Sequence, residues 1–281
     1  MTSGARPSTT PAASTADPAT IARTFVDARR AARALPAFPG AIPASLDQAY
    51  LIQDAAIGLF PDAIAGWKVG RVPPHLQARL GEERVAGPTF REALRTPRPG
   101  EAVALPVIAG GFAAVEAEFV YRLALDAPAS KTDWTVAEAL ALVGGLHIGV
   151  EFAGSPLKAI NDLGSTVVAS DFGNNAALVV GPEIPGWRGR ADASMACETF
   201  IDDAPVGAGT AASTPGGPAA ALAFLLGHCA ARGRPLTAGQ YVTTGAATGI
   251  HEITAGQTAR VSFGEFGEIL CVAEVARPAA R

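Results

Sequence analysis

Cysteine is scarce in this chain. Cys197, Cys229 and Cys271 are the only three in 281 residues, odd in number and far apart, which gives neither a disulfide framework nor a CxxC metal knuckle and suits a reducing compartment. Lysine is equally rare, with Lys68, Lys131 and Lys158 the complete set, so a lysine inside an apolar segment stands out. The 26 acids against 22 bases leave no basic field for nucleic acid or anionic lipid. No apolar run reaches the ~18 residues of a membrane span, and the N-terminus has no basic-then-apolar signal pattern. The chain therefore reads as a soluble, cytoplasmic protein without a membrane or nucleic-acid partner.

Several catalytic signatures are also missing. There is no GxSxG elbow, no GxxxxGK(S/T) phosphate loop and no GxGxxG after a strand, so serine-hydrolase, NTPase and Rossmann readings lose their main support. His75, His147, His228 and His251 stand far apart. Each reads as structural or superficial, with His147 of most interest because the residues after it lead to Glu151. No internal repeat is present.

What is present centres on Val115-Glu116-Ala117-Glu118-Phe119-Val120-Tyr121. β-Branched and aromatic residues around two acids predict a strand. Alternation sends Glu116 and Glu118 to one face and Val115, Ala117 and Phe119 to the other. Two carboxylates about 5–7 Å apart at a half-buried site repel by about 2–3 kcal/mol at an effective dielectric of about 20. A shared proton, an arginine or a hard cation would relieve this, and oxygen ligands without Cys or paired His favour Mg²⁺, Mn²⁺ or Ca²⁺. Taken alone, such a strand is more often a solvated face, so its surroundings decide.

Along the chain, residues 1–20 are Ser, Thr, Ala, Pro and Gly with hardly a large side chain and predict a disordered leader. Helices are expected over 21–34 and, with Ser45 as N-cap and Gln48 three residues on, over 46–60; residues 21–65 would form a small N-terminal cap on a β-rich domain spanning 66–281. Gly66-Trp67-Lys68-Val69-Gly70 predicts a short strand whose amine is either partly desolvated, with a pKa drawn down toward proton-transfer range, or a surface lysine at a strand end. Residues 71–100 read as a long irregular connection with a helical piece at 75–80 and turns at Pro73-Pro74 and Gly87-Pro88. Thr135 and Glu138 form a capping box for a helix stopping at Gly144-Gly145. A strand over 146–152 then carries Glu151 among apolar neighbours, as a third oxygen ligand or half of a buried ion pair. Asp171 positions a ligand or bonds its own turn. Pro218 and Gly233 bracket a core helix, and the Thr244–Gly249 loop offers either amides and hydroxyls for an oxyanion or a tight hairpin.

Gly66-Trp67-Lys68-Val69-Gly70, Glu116-Ala117-Glu118, Val150-Glu151-Phe152, Ser170-Asp171, and Gly239 to Gly249 followed by Phe263-Gly264-Glu265-Phe266-Gly267 occur in an order and spacing that resembles the 2-keto-4-pentenoate hydratase family, within the fumarylacetoacetate hydrolase superfamily. The likeness runs from about Leu46 to Val275. It implies an α+β fold, a mixed β-roll of the fumarylacetoacetate-hydrolase type with an N-terminal helical region, assembled as a homo-oligomer. It also implies a Mg²⁺ or Mn²⁺ cofactor held by Glu116, Glu118 and Glu151, with Lys68 as the active-site lysine. The expected activity is hydration of a 2-hydroxy-2,4-dienoate to a 4-hydroxy-2-oxo acid, with Arg71, Asp171, Thr244 and Thr248 at the substrate. Decarboxylation of a 2-oxo-3-enedioate, C–C hydrolysis of an acylpyruvate and a non-catalytic 2-oxo-acid binder are the alternatives. Two positions depart from the family: Arg71-Val72-Pro73 replaces its usual Leu-Thr-Ser, and an acid it tends to carry falls on Ala86, with Glu82 or Glu83 as nearby substitutes.

Overall fold

Long strands with alternating apolar residues supply the frame, and they assemble into two sheets. The structure, a computed structural model, describes residues 17–279. Its strands are β1 (Ile64–Arg71), β2 (Arg84–Phe90), β3 (Leu94–Arg95), β4 (Ala102–Val107), β5 (Phe112–Leu123), β6 (Val143–Ser155), β7 (Asn175–Glu183), β8 (Ala196–Ile201), β9 (Ala204–Thr210), β10 (Tyr241–Thr243), β11 (His251–Glu252), β12 (Thr258–Ser262) and β13 (Glu268–Val275). The helices are α1 (Pro18–Arg30), α2 (Leu46–Leu59), α3 (Pro74–Leu80), α4 (Val136–Ala141), α5 (Ser165–Ser170) and α6 (Gly217–Ala231). The larger sheet runs β2-β1-β10-β5-β6-β7-β3, with β11 also pairing β5, and the smaller runs β4-β13-β12-β8-β9. The class is mixed α+β, as expected.

The ladder between β5 and β6 fixes the two faces of the larger sheet. Phe119 opposes Ile148 and Ala117 opposes Val150. Together with Trp67, Val69 and Phe152 they enter one buried cluster with Leu105, Val261 and Ile269 of the smaller sheet and Leu222, Leu225 and Leu226 of α6. Phe119 and Phe263 meet edge to face with centroids 5.5 Å apart. Each such side chain contributes about 1.5–3 kcal/mol by leaving water.

The other face is covered by the N-terminal helices. Asp17 caps α1 by accepting from the Thr20 amide, and Ser45 caps α2 by accepting from Gln48 N. Ile21, Phe25 and Val26 of α1 share a cluster with Ile52, Phe90, Phe112 and Phe172, so these helices and the sheet pack as one body. The helix expected over 21–34 thus begins at Pro18; residues 1–16 of the expected leader lie outside the described residues.

Two expectations need correction. Residues 84–90 are not a loop but β2, paired antiparallel with β1. Gly87 is there because a Cβ would stand 1.9 Å from the Phe172 carbonyl oxygen, and Pro88 is tolerated because β2 is an edge strand. Gly144 and Gly145 do not stop a helix. The Thr135–Glu138 capping box is formed, but α4 ends at Ala141 and both glycines lie inside β6. No helix among the described residues is long and apolar enough to cross a membrane.

Candidate active site

On the face opposite the shared core, neighbouring strands deliver polar side chains to one place. Glu116 of β5 lies directly across the ladder from Glu151 of β6, and Glu118 follows two residues on. Thr243 of β10, paired with Val120, falls on the same face, as does Lys68 one strand further. One oxygen from each of the three glutamates lies within 4.8 Å of the others. All three are buried, as is Lys68, at 3% exposure.

Some of these oxygens are taken and some are not. Glu118 Oε2 accepts from the amides of Thr244 at 2.5 Å and Gly245 at 2.7 Å. The amides expected to bind an oxyanion therefore serve a carboxylate of the protein itself. Glu151 Oε1 accepts from Asn175 Nδ2 at 3.1 Å and lies 3.3 Å from Lys68 Nζ, while its Oε2 accepts from Thr243 Oγ1 at 3.2 Å. Lys68 Nζ also donates to Asn174 Oδ1 at 3.3 Å. Glu116 Oε1 and Glu118 Oε1 are buried with no hydrogen-bond partner in the protein. A buried carboxylate oxygen left bare costs free energy unless a cation meets it, and an all-oxygen set suits a hard divalent ion. The donor set fits a divalent metal.

Charge within the cluster follows from the same geometry. Burial pushes the Glu116 carboxyl up to about 8, with Lys68 opposing and Glu151 adding to the rise. Burial and the neighbouring carboxylates hold Glu118 well above the usual carboxylate range. Burial opposes the charge on Lys68, yet Glu151, Glu116 and Glu118 outweigh it and its pKa is raised. The expected fall in the Lys68 pKa is thus corrected: the three acids facing the ammonium win over desolvation.

Lys68 and Glu116 line a cavity of about 450 Å³. Arg71, Glu83 and Arg84 line it as well and are more exposed, so they mark its mouth. Asn161, Ser165 and Thr214 supply polar wall, and Thr214 Oγ1 is buried and unpartnered. Of the residues expected at the substrate, Arg71 and Thr244 line the cavity. Asp171 does not; Arg29 Nε and Ser155 Oγ donate to its two oxygens, each at 2.6 Å. Thr248 is turned to Thr199 and His251. His147 meets the Gly181 carbonyl. Ala86 packs in the core with Trp67 and Val69, while Val85 and Glu83 line the cavity, so Glu83 stands nearer the site than Glu82. Asn174, Asn175 and Thr243 had escaped the reading of the sequence, although Gly-Asn-Asn opening an apolar strand is a cluster of side-chain amides with no turn to end.

No protein-family model matches the chain, and no curated protein matches it in sequence. Solved structures do match. A 4-oxalocrotonate decarboxylase from Pseudomonas putida G7, complexed with calcium and acetate, aligns with a TM-score of 0.74 at 17% identity, over 91% of this chain and 96% of that one. Fumarylpyruvate hydrolase from Pseudomonas aeruginosa, in complex with Mn²⁺ and pyruvate, gives 0.56 at 16% identity over 74% and 88%. The 2-hydroxyhepta-2,4-diene-1,7-dioate isomerase from Mycobacterium marinum gives 0.53 at 17% identity over 76% of each chain. These neighbours are a decarboxylase, a hydrolase and an isomerase, the first two complexed with a divalent metal, and this chain is similar to them in fold.

Proposed function

We propose that the chain is a metal-dependent lyase that adds water to a 2-hydroxy-2,4-dienoate, giving a 4-hydroxy-2-oxo acid. The observation that carries this reading is the cluster of Glu116, Glu118 and Glu151 beside Lys68, with two carboxylate oxygens unpartnered. Mg²⁺ or Mn²⁺ held by the three glutamates would supply Lewis acidity to the 2-oxo or 2-hydroxy group of the substrate. Lys68, fixed between Glu151 and Asn174, gives and takes the proton on the substrate carbon as enol and keto forms exchange. Once the carboxylate charge is matched, the desolvation of this amine favours proton release. Thr214 Oγ1, with Ser165 on the wall, holds the water or the new hydroxyl. Arg71 receives the far end of the substrate.

A second reading, decarboxylation of a 2-oxo-3-enedioate, is favoured by the pair Arg71 and Arg84 at the mouth, which suits a second carboxylate. The same electron sink would accept the carbanion left by CO₂. Among the described residues, no His-Glu pair lines the cavity to activate water for C–C hydrolysis.

Purified protein with Mn²⁺ is assayed against 2-hydroxy-2,4-dienoates and 2-oxo-3-enedioates, following dienoate absorbance and CO₂ together. Loss of absorbance without CO₂, abolished by EDTA, is expected; CO₂ release moves the assignment to the decarboxylase, and neither signal overturns both.

A further inference from the structure

We propose that Arg29, on the N-terminal helix, is a positioning residue for the cation site. It holds the turn that sets Asn174 against Lys68 and Asn175 against Glu151. This rests on the reading of the three glutamates as a metal site.

The turn is unusual in its backbone. Phe172, Gly173 and Asn174 have φ of 55, 64 and 58°, three consecutive residues in the left-handed region, where a bulky side chain such as Phe172 is strained. Such a conformation persists only where its surroundings impose it, and its product is useful: it aims two successive amides at the site. Asn174 Oδ1 accepts from Lys68 Nζ, and Asn175 Nδ2 donates to Glu151 Oε1.

Arg29 supplies what holds it. Nε donates to Asp171 Oδ1 at 2.6 Å, Nη1 to the Asn175 carbonyl at 2.9 Å, and Nη2 to the Gly154 carbonyl at 2.9 Å and the Asp171 carbonyl at 3.3 Å. The guanidinium also lies over the Phe172 ring, 5.2 Å from its centroid. Three of the four bonds go to main-chain carbonyls that bracket the turn and β6 beyond Glu151. An ion pair serving stability alone would need only the Asp171 carboxylate; the fork instead spans β6 and the turn, and the planar five-donor geometry is one that lysine cannot reproduce. Phe60 and Phe90 also pack edge to face on Phe172, with centroids 5.5 and 5.0 Å away.

Partners that orient a metal ligand without touching the metal commonly matter about 10–100-fold in metal affinity. The test is Mn²⁺ binding, read by EPR of the free ion, in the wild type, R29K, R29A, N175A and R29K/N175A. Far-UV circular dichroism establishes folding before each titration. R29K is expected to bind Mn²⁺ about tenfold more weakly, and R29K/N175A within twofold of N175A alone, because Arg29 reaches the ligating carboxylate of Glu151 through Asn175 while its other arm, Asn174, ends on Lys68. Millimolar guanidinium added to R29A restores binding. If R29A does not fold, R29K carries the test, because it keeps the charge and the pairing with Asp171. Unchanged affinity in R29K overturns the proposal, and so do losses that add in the double variant. A wild type that binds no Mn²⁺ overturns the metal-site reading and this proposal with it.

Discussion

The two faces of the larger sheet are built on the same strands to opposite ends. On one, Trp67, Ala117, Phe119, Val150 and Phe152 pack against the smaller sheet and α6 in one apolar cluster. On the other, one residue along each strand, Lys68, Glu116, Glu118 and Glu151 crowd three acids and one base into a buried space. The first face stabilises the fold. The second opposes it, because buried carboxylates repel and two of their oxygens lack partners. A sheet of this kind keeps its costly face in place with the cohesion of the other.

Four substitutions break or sharpen this contrast. Lys68→Ala should cut turnover by ~10²–10⁴-fold while Mn²⁺ binding persists; equal loss of both in kinetic and EPR measurements would merge the roles kept apart here. On the core face, Phe263→Ala should cost ~3–5 kcal/mol in urea unfolding and leave kcat per folded molecule unchanged. Metal should stabilise by ~2.7 kcal/mol at a hundredfold excess over its Kd, and Glu116→Gln should remove that increment. The same variant tests the pH dependence. With its folded pKa raised to about 8, Glu116 favours the metal-free fold below the unfolded carboxylate pKa, and that contribution is lost as pH rises through about 8. Glu116→Gln should flatten this slope, and a wild type without metal that gains stability over that range would contradict it. Away from both faces, Thr135→Ala in the exposed capping box of α4 should cost only ~1 kcal/mol, visible in Tm and absent from the kinetics.

Much of the site was legible because strand alternation is a local rule. Two glutamates two apart share a face wherever the strand lies, and an acid amid apolar residues such as Glu151 announces a partner. What escaped depends on contacts distant in sequence. Gly87-Pro88 has turn composition, and only the approach of the Phe172 carbonyl and the edge position of β2 explain it as strand. Asp171 had the right type for a ligand and the wrong surroundings, since its oxygens belong to Ser155 and to Arg29, which is 142 residues away in sequence. Arg29 sits in a helix rich in arginines, where composition cannot separate a clamp from a solvated side chain. Lys68 lies in a short strand, as its neighbours suggest, but the direction of its pKa depends on how many carboxylates converge on it, a number that lies in the register rather than in its neighbours.

Glu118 is gripped by the amides of Thr244 and Gly245, and an amide is common to almost every residue type. Of these two, Gly245, at φ 107°, is bound to its identity by the backbone, as is Gly249 further along the loop at φ 100°. Side chains at Ala246 and Ile250, which border the cavity, can therefore be exchanged while the acid stays held. In a lineage carrying this loop, the shape offered to a substrate tail is free to drift, and the place where charge is gathered is inherited intact.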